Sequence, residues 1–204
     1  MAIDRRVLFF GDSFVAGVGD PTGRGWVGHV VAASFAAGLP LTAYNLGVRR
    51  DTSLDVAARW QAEARPRLRA DAAYGVVVGV GVNDTTVEDG RLRVEPGVAV
   101  DALGRVLDGV AGLGLGAFVA GPAPSGDPAQ DERIRALSAA FAELAAARGV
   151  PFVAVLDALC ADGAWSAEAA AGDGSHPAAG GYEAYARLVL DGGWTAWLGG
   201  LFVD

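Results

Sequence analysis

Three short segments, far apart in the chain, carry residue types that together run acyl-transfer chemistry: Gly11-Asp12-Ser13-Phe14, Gly81-Val82-Asn83-Asp84 and Asp173-Gly174-Ser175-His176-Pro177. A serine hydroxyl is a poor nucleophile at neutral pH. It needs a base within hydrogen-bond reach and a third group that fixes the base's tautomer. Only two histidines are available, at positions 29 and 176. His29 follows Trp26-Val27 in a stretch of helical period, where a surface or satisfied structural role fits it. His176 precedes Pro177, which biases its backbone to an extended conformation and suits the first turn of a helix. Asp173, three residues earlier, can reach the second ring nitrogen. Each segment alone also has a plainer reading, Gly-Asp-Ser as a turn bonded to local amides and Asp-x-x-His-Pro as a helix cap. Their joint occurrence makes coincidence the worse explanation.

Composition narrows the alternatives. All 16 basic residues are Arg, so Schiff-base, P-loop and Ser-Lys chemistries are excluded. One cysteine, Cys160, forms no intrachain disulfide, CxxC pair or cysteine-rich zinc site, and two histidines do not make HExxH. No metal and no cofactor is expected. The net charge of −8 disfavours nucleic acid and anionic membranes as partners. No apolar run approaches the roughly 20 residues that cross a bilayer. The N-terminal stretch lacks the apolar core and cleavage site of a signal peptide, so a cytoplasmic location is expected. The length of 204 residues suits one domain, 1–204, with its own core.

These segments need a scaffold that brings them together. Apolar runs rich in β-branched or aromatic residues recur at 5–10, 41–46, 75–80, 115–120 and 151–156, and each predicts a buried strand. Between them lie helical periods such as Val100, Leu103, Leu107, Val110 and Ile134, Leu137, Phe141, Leu144. Asp127 with Pro128 and Gln130, and Thr52 with Asp55, read as helix starts; Gly149 and Gly192 read as stops. Strands alternating with helices imply right-handed crossovers and a parallel sheet covered on both faces, a three-layer α/β/α domain of flavodoxin-like size. In such sheets ligands sit at the carboxyl ends of the strands. The loops expected there begin at Gly11, Gly47, Gly81, Gly121 and Asp157.

The three segments, with Asn45-Leu46-Gly47, resemble the SGNH hydrolases, also called GDSL-type esterases, over nearly the whole chain from Gly11 to Pro177. The resemblance implies a five-stranded parallel sheet with helices on both faces. It makes Ser13 the nucleophile, His176 the general base and Asp173 its orienting carboxylate. The oxyanion hole would combine the backbone amides of Ser13 and Gly47 with the side-chain amide of Asn83. Gly47 suits close approach of an acyl oxygen, and Asn83 is a neutral donor that does not titrate. Asp12 and Asp84 read as loop-bracing residues.

The sequence departs from the family pattern in places. Phe14 replaces the Leu usual in the namesake tetrapeptide, and Arg50 stands where related sequences often carry a second glycine. Arg49 and Arg50 either recognise a carboxylate or phosphate on the substrate or pair with Asp51 or Asp55 at a helix start. No Gly-x-Ser-x-Gly elbow occurs, which argues against the α/β-hydrolase fold. The stretches 121–130 and 160–172, the latter with Trp165, are candidates to wall an acyl pocket. Trp26, Trp60, Trp194 and Trp197 read as packing aromatics, and Cys160 as a small buried apolar residue. The expected function is a serine esterase cleaving small carboxylic esters, with thioesters and acetylated sugars also in view. Two rivals are an acyltransferase using the same triad and a non-catalytic flavin- or sugar-binding module on the same fold. Neither the leaving group nor the oligomeric state is fixed by these residues.

Overall fold

In the computed structural model, which describes residues 3–201, the apolar runs do become strands and the periodic stretches helices. β1 (Arg5–Gly11) leads to α1 (Ser13–Ala16) and α2 (Gly25–Ala36), and β2 (Leu41–Gly47) to α3 (Ser53–Ala64). β3 (Ala73–Gly79) leads to a hairpin, β4 (Val87–Glu88) and β5 (Arg91–Leu92), and on to α4 (Pro96–Gly112). β6 (Gly116–Ala120) leads to α5 (Pro128–Ala147). β7 (Phe152–Val153) is followed by α6 (Leu156–Cys160), α7 (Gly163–Ala171), α8 (Ala179–Val189) and α9 (Thr195–Gly199).

The five long-range strands pair in the order β2-β1-β3-β6-β7, all parallel. Strand order reverses at β1, whose carboxyl end is therefore where a site is expected in a doubly wound sheet. The pleat divides the apolar side chains between two cores. Val7, Phe9, Val77 and Phe118 face α2, α7, α8 and α9, while Leu8, Phe10, Val76, Val78 and Val119 face α3, α4 and α5. Every side chain from Val7 to Phe10 is fully buried, as a central strand covered on both faces demands.

Local sequence sets the helix ends. Thr52 and Asp55 form a capping box at α3, the Thr52 amide donating to Asp55 Oδ2 at 2.9 Å. Asp127 Oδ1 accepts the amides of Ala129 and Gln130 at 2.7 and 3.1 Å, with Pro128 at the first helical position of α5. α5 stops at Gly149, whose φ of +65° is left-handed.

Three expectations need correction. The fifth strand is not 151–156: only Phe152 and Val153 pair with β6, and Leu156 already begins α6. Val155 and Leu156 are apolar because they are buried in the core under α8, not because they lie in a ladder. The loop expected at Asp157 is accordingly helix. At the end of α8 the left-handed residue is Gly193, φ +99°, while Gly192 keeps φ −76°. The hairpin β4–β5 was not anticipated, although its turn residues Asp89 and Gly90 both have positive φ, 51° and 76°, the backbone that Asp-Gly turns adopt between paired strands.

Candidate active site

Gly47, Gly11 and Gly79 lie side by side in register at the carboxyl ends of β2, β1 and β3. A Cβ at position 47 would collide with the backbone of Ala16 and Asp12, so only glycine lets β2 end this close to α1. Asp12 leaves β1 in extended conformation, and its carboxyl caps α1 by accepting the Phe14 amide at 2.9 Å. That cap places Ser13 at the first position of a one-turn helix, 6% exposed.

Ser13 Oγ lies 2.7 Å from His176 Nε2, across 163 positions of sequence. On the other side of the ring, His176 Nδ1 lies 2.7 Å from Asp173 Oδ2. The second oxygen of Asp173 accepts the amides of Ser175 and His176 at 3.0 and 2.9 Å, so the loop 172–178 folds around its own carboxylate. These bonds, the His176 amide first, hold the Asp173 carboxyl down at about 2. An ionised carboxylate only accepts, so Nδ1 carries the ring proton and Nε2 is left to accept the Ser13 hydroxyl proton. Phe14 packs on the imidazole with ring centroids 4.8 Å apart, and Trp165 stacks behind Phe14 at 5.9 Å. The Tyr182 hydroxyl donates to the Val18 carbonyl at 2.6 Å, tying α8 to the loop after α1.

Asn83, on the short turn after β3, donates from Nδ2 to the Asp51 carbonyl at 3.0 Å and lies 3.4 Å from Asp12 Oδ2. Asp84 beside it is fully buried and accepts the amide and hydroxyl of Ser53 at 3.1 and 2.5 Å. Burial raises the carboxyls of both Asp84 and Asp12, the latter to about 7, with the Asp84 and Asp51 charges adding to the effect at Asp12. Asp12 and Asp84 thus brace the loops that carry Ser13 and Asn83.

A model of the GDSL-like lipase/acylhydrolase family matches residues 9–184. The chain belongs to that family. It is an ester-cleaving hydrolase. Solved structures share the fold of this GDSL-like acylhydrolase over essentially its full length. An acetylxylan esterase from Geobacillus stearothermophilus superposes with a TM-score of 0.73 at 21% identity, covering 100% of this chain and 99% of its own. An α/β hydrolase from the metagenome of Lake Arreo, Spain, gives 0.77 at 22% identity, covering 96% and 97%. A lipase/acylhydrolase from Enterococcus faecalis gives 0.76 at 22%, covering 98% of each chain. No curated protein matches the sequence.

Other residues of the GDSL-like acylhydrolase take places that the sequence did not reveal. The Gly47 amide donates to Asn45 Oδ1 at 3.1 Å, while Asn45 Nδ2 donates to the Val15 carbonyl at 2.7 Å. Among the described residues, the amides of Arg49 and Arg50, further along the same loop, make no hydrogen bond. Arg50 pairs with neither Asp51 nor Asp55; it reaches Glu88 of the hairpin at 2.5 Å. The partner of Asp51 is Arg59, at 2.6 Å, whose guanidinium also donates to the carbonyls of Gly11 and Leu46 at 3.2 and 2.8 Å. Arg59 thereby ties together the ends of β1 and β2, and nothing in its surroundings in sequence signalled that. Arg49 is exposed.

Cys160 is exposed, contrary to expectation, because α6 ends there and turns the side chain into a cleft of about 550 Å³. The stretches expected to wall a pocket do meet at this cleft, through Pro124, Gly126, Cys160 and Trp165, and it touches Gly174 of the loop carrying Asp173 and His176. Its lining includes neither Ser13 nor Asn83. His29 is half-buried on α2, and its Nε2 has no partner among the described residues. Among those residues no cluster of three or more His, Cys, Asp and Glu side chains is arranged to hold a metal ion, and no helix is long and apolar enough to cross a membrane.

Proposed function

We propose that this hydrolase cleaves esters of small carboxylic acids through an acyl-enzyme on Ser13. The observation that carries the reading is the unbroken hydrogen-bonded line from Ser13 Oγ through His176 to Asp173, each step 2.7 Å. His176 Nε2 takes the hydroxyl proton as Oγ attacks the acyl carbon, and Asp173, ionised throughout the working range, stabilises the imidazolium that forms. The imidazolium then returns the proton to the departing alcohol. In the second half, water attacks the acyl carbon while the same nitrogen takes its proton, and that proton passes to Ser13 Oγ as the acyl–oxygen bond breaks and the acid leaves.

The tetrahedral oxyanion needs preorganised donors. The Ser13 amide, first in α1, is one, and Asn83 Nδ2 is a second, its 3.4 Å approach to Asp12 being the weaker of its two contacts and the one given up. The Gly47 amide, expected as the third, is engaged by Asn45; of the two free amides further along this loop, that of Arg50, whose left-handed backbone stands where related sequences often carry a second glycine, is taken as the donor. Arg49 remains as a cation available to an anionic group on the substrate.

The acetylxylan esterase among the structural neighbours makes acetylated sugars natural substrates to try beside simple esters. The deciding experiment is a panel of p-nitrophenyl esters from acetate to palmitate, one thioester and acetylated xylose. It is run with the wild type and Ser13→Ala, with and without an added alcohol. Hydrolysis lost in Ser13→Ala supports the reading, and retained hydrolysis defeats it. Transfer of the acyl group to the alcohol in preference to water would recast the enzyme as an acyltransferase.

A further inference from the structure

Arg50 adopts φ +70°, a left-handed backbone that a non-glycine residue enters at a cost. Something must hold it there. Its guanidinium meets Glu88 Oε1 at 2.5 Å, and Arg93 Nε approaches the same oxygen at 3.7 Å, so Glu88 sits between two arginines at the tip of the β4–β5 hairpin. The same two stretches of chain are joined at two further points. Asn83 donates to the Asp51 carbonyl at 3.0 Å, and the Ser53 amide donates to Asp84 at 3.1 Å. The loop 48–52 also starts against β1, the Val48 amide donating to the Gly11 carbonyl at 2.9 Å. Loop 48–52 is therefore fixed at both ends by buried or half-buried bonds and closed on itself by a turn, the Asp51 amide donating to the Val48 carbonyl at 3.1 Å, while the link from its middle, the strained residue with the free amide, to the rest of the fold is the exposed ion pair.

Resting on the acyl-enzyme reading above, we propose that Glu88 is a positioning residue: through Arg50 it clamps the middle of loop 48–52 to the hairpin and so aims the Arg50 amide at the oxyanion. A glycine at position 50 takes the left-handed backbone without strain and needs no clamp. The arginine here substitutes a tether for that freedom, and the hairpin supplies its anchor.

The test is a double-mutant cycle on kcat with p-nitrophenyl acetate. An exposed ion pair supports only a small effect, so Glu88→Gln is expected to lower kcat by about two- to fivefold, with KM and the melting temperature nearly unchanged. In the Arg50→Gly background the same Glu88→Gln change is expected to leave kcat unaltered, because no Arg50 guanidinium is left to join Glu88 to the loop. Salt at 0.5 M should lower kcat of the wild type by a similar factor and leave Glu88→Gln unaffected, since the pair is open to screening. Additive effects of the two substitutions, or an unchanged kcat in Glu88→Gln alone, overturn the proposal. Amide hydrogen exchange over residues 48–53 reads the clamp without reference to catalysis. Faster exchange in Glu88→Gln supports it, and unchanged exchange overturns it. The nucleophile fails by a different sign, namely full activity in Ser13→Ala.

Discussion

Replacing Asp12 by asparagine removes a carboxyl that the fold buries next to Ser13, at 2% exposure. Asparagine keeps the shape and the cap, since its carbonyl oxygen accepts the Phe14 amide as the carboxylate does. It replaces the 3.4 Å acceptor facing Asn83 Nδ2 by a donor at every pH, and the pH-dependent property it removes is a titration. Desolvation raises the folded carboxyl from 3.8 to about 7, with Asp84 and Asp51 adding repulsion. Below pH 3.8 both the folded and unfolded chains hold the proton and the group contributes nothing to pH dependence. As pH rises from there to about 7, the unfolded chain ionises while the folded one keeps its proton, so folding stability is lost with rising pH. Each pH unit in that interval carries 1.36 kcal/mol, which makes the full loss about 4 kcal/mol. Between pH 5 and pH 8 the part that falls due is about 3 kcal/mol. Urea unfolding of the wild type and Asp12→Asn at these two pH values measures it. The stability of Asp12→Asn relative to the wild type is expected to grow by that amount from pH 5 to pH 8. Asp84 and Asp51 are present in both proteins, and their repulsion of ionised Asp12 is already contained in its rise to about 7. A relative stability that stays constant across the interval would mean that Asp12 ionises like an exposed carboxyl, and the burial argument would be wrong.

Asn83→Ala should lower kcat by about 10²- to 10³-fold with the fold retained, the usual loss on removing one oxyanion donor; a melting curve and steady-state kinetics check both halves. Asp173→Asn takes away the acceptor that fixes the His176 tautomer, and a fall in kcat on the order of 10³- to 10⁴-fold is expected, measured with the same ester. Arg49→Gln should reduce the preference for a hemisuccinate ester over a neutral ester of equal length by about tenfold, through KM, if the cation contacts the substrate. An unchanged ratio would leave Arg49 a solvated surface group.

The central strands were legible because β1, β3 and β6 are covered on both faces and so carry runs of buried apolar residues, a pattern that survives without any tertiary information; β2, at the other edge and only half-buried, showed as a shorter mixed run. β7 was not, because at the sheet edge only two residues pair, while the apolar residues that follow serve a helix and a core. The caps at Thr52 and Asp127 were readable since a cap and its amides lie within three residues of one another. The Ser13, His176 and Asp173 positions stood out by residue type and order. Contacts that depend on two loops meeting were hidden: Arg50 with Glu88, 38 positions on, or Arg59 with the ends of two strands. The engagement of the Gly47 amide by Asn45 was within local reach, two positions away, yet an Asn before a Gly fits several turn geometries equally well. The exposure of Cys160 depended on where α6 ends, which no periodicity in five residues can fix.

Ser13 and His176 are 163 positions apart, the first at the end of the first strand and the second just before α8. On the ribosome, Ser13 is synthesised long before His176 exists, so on the acyl-enzyme proposal no ester turnover is expected until His176 has been made and docked. Closing so long a span carries an entropic cost in refolding as well, so this contact is expected to form late. Return of ester turnover after denaturant dilution therefore serves as a clock for the seating of α8, and it will run behind any optical probe of the sheet.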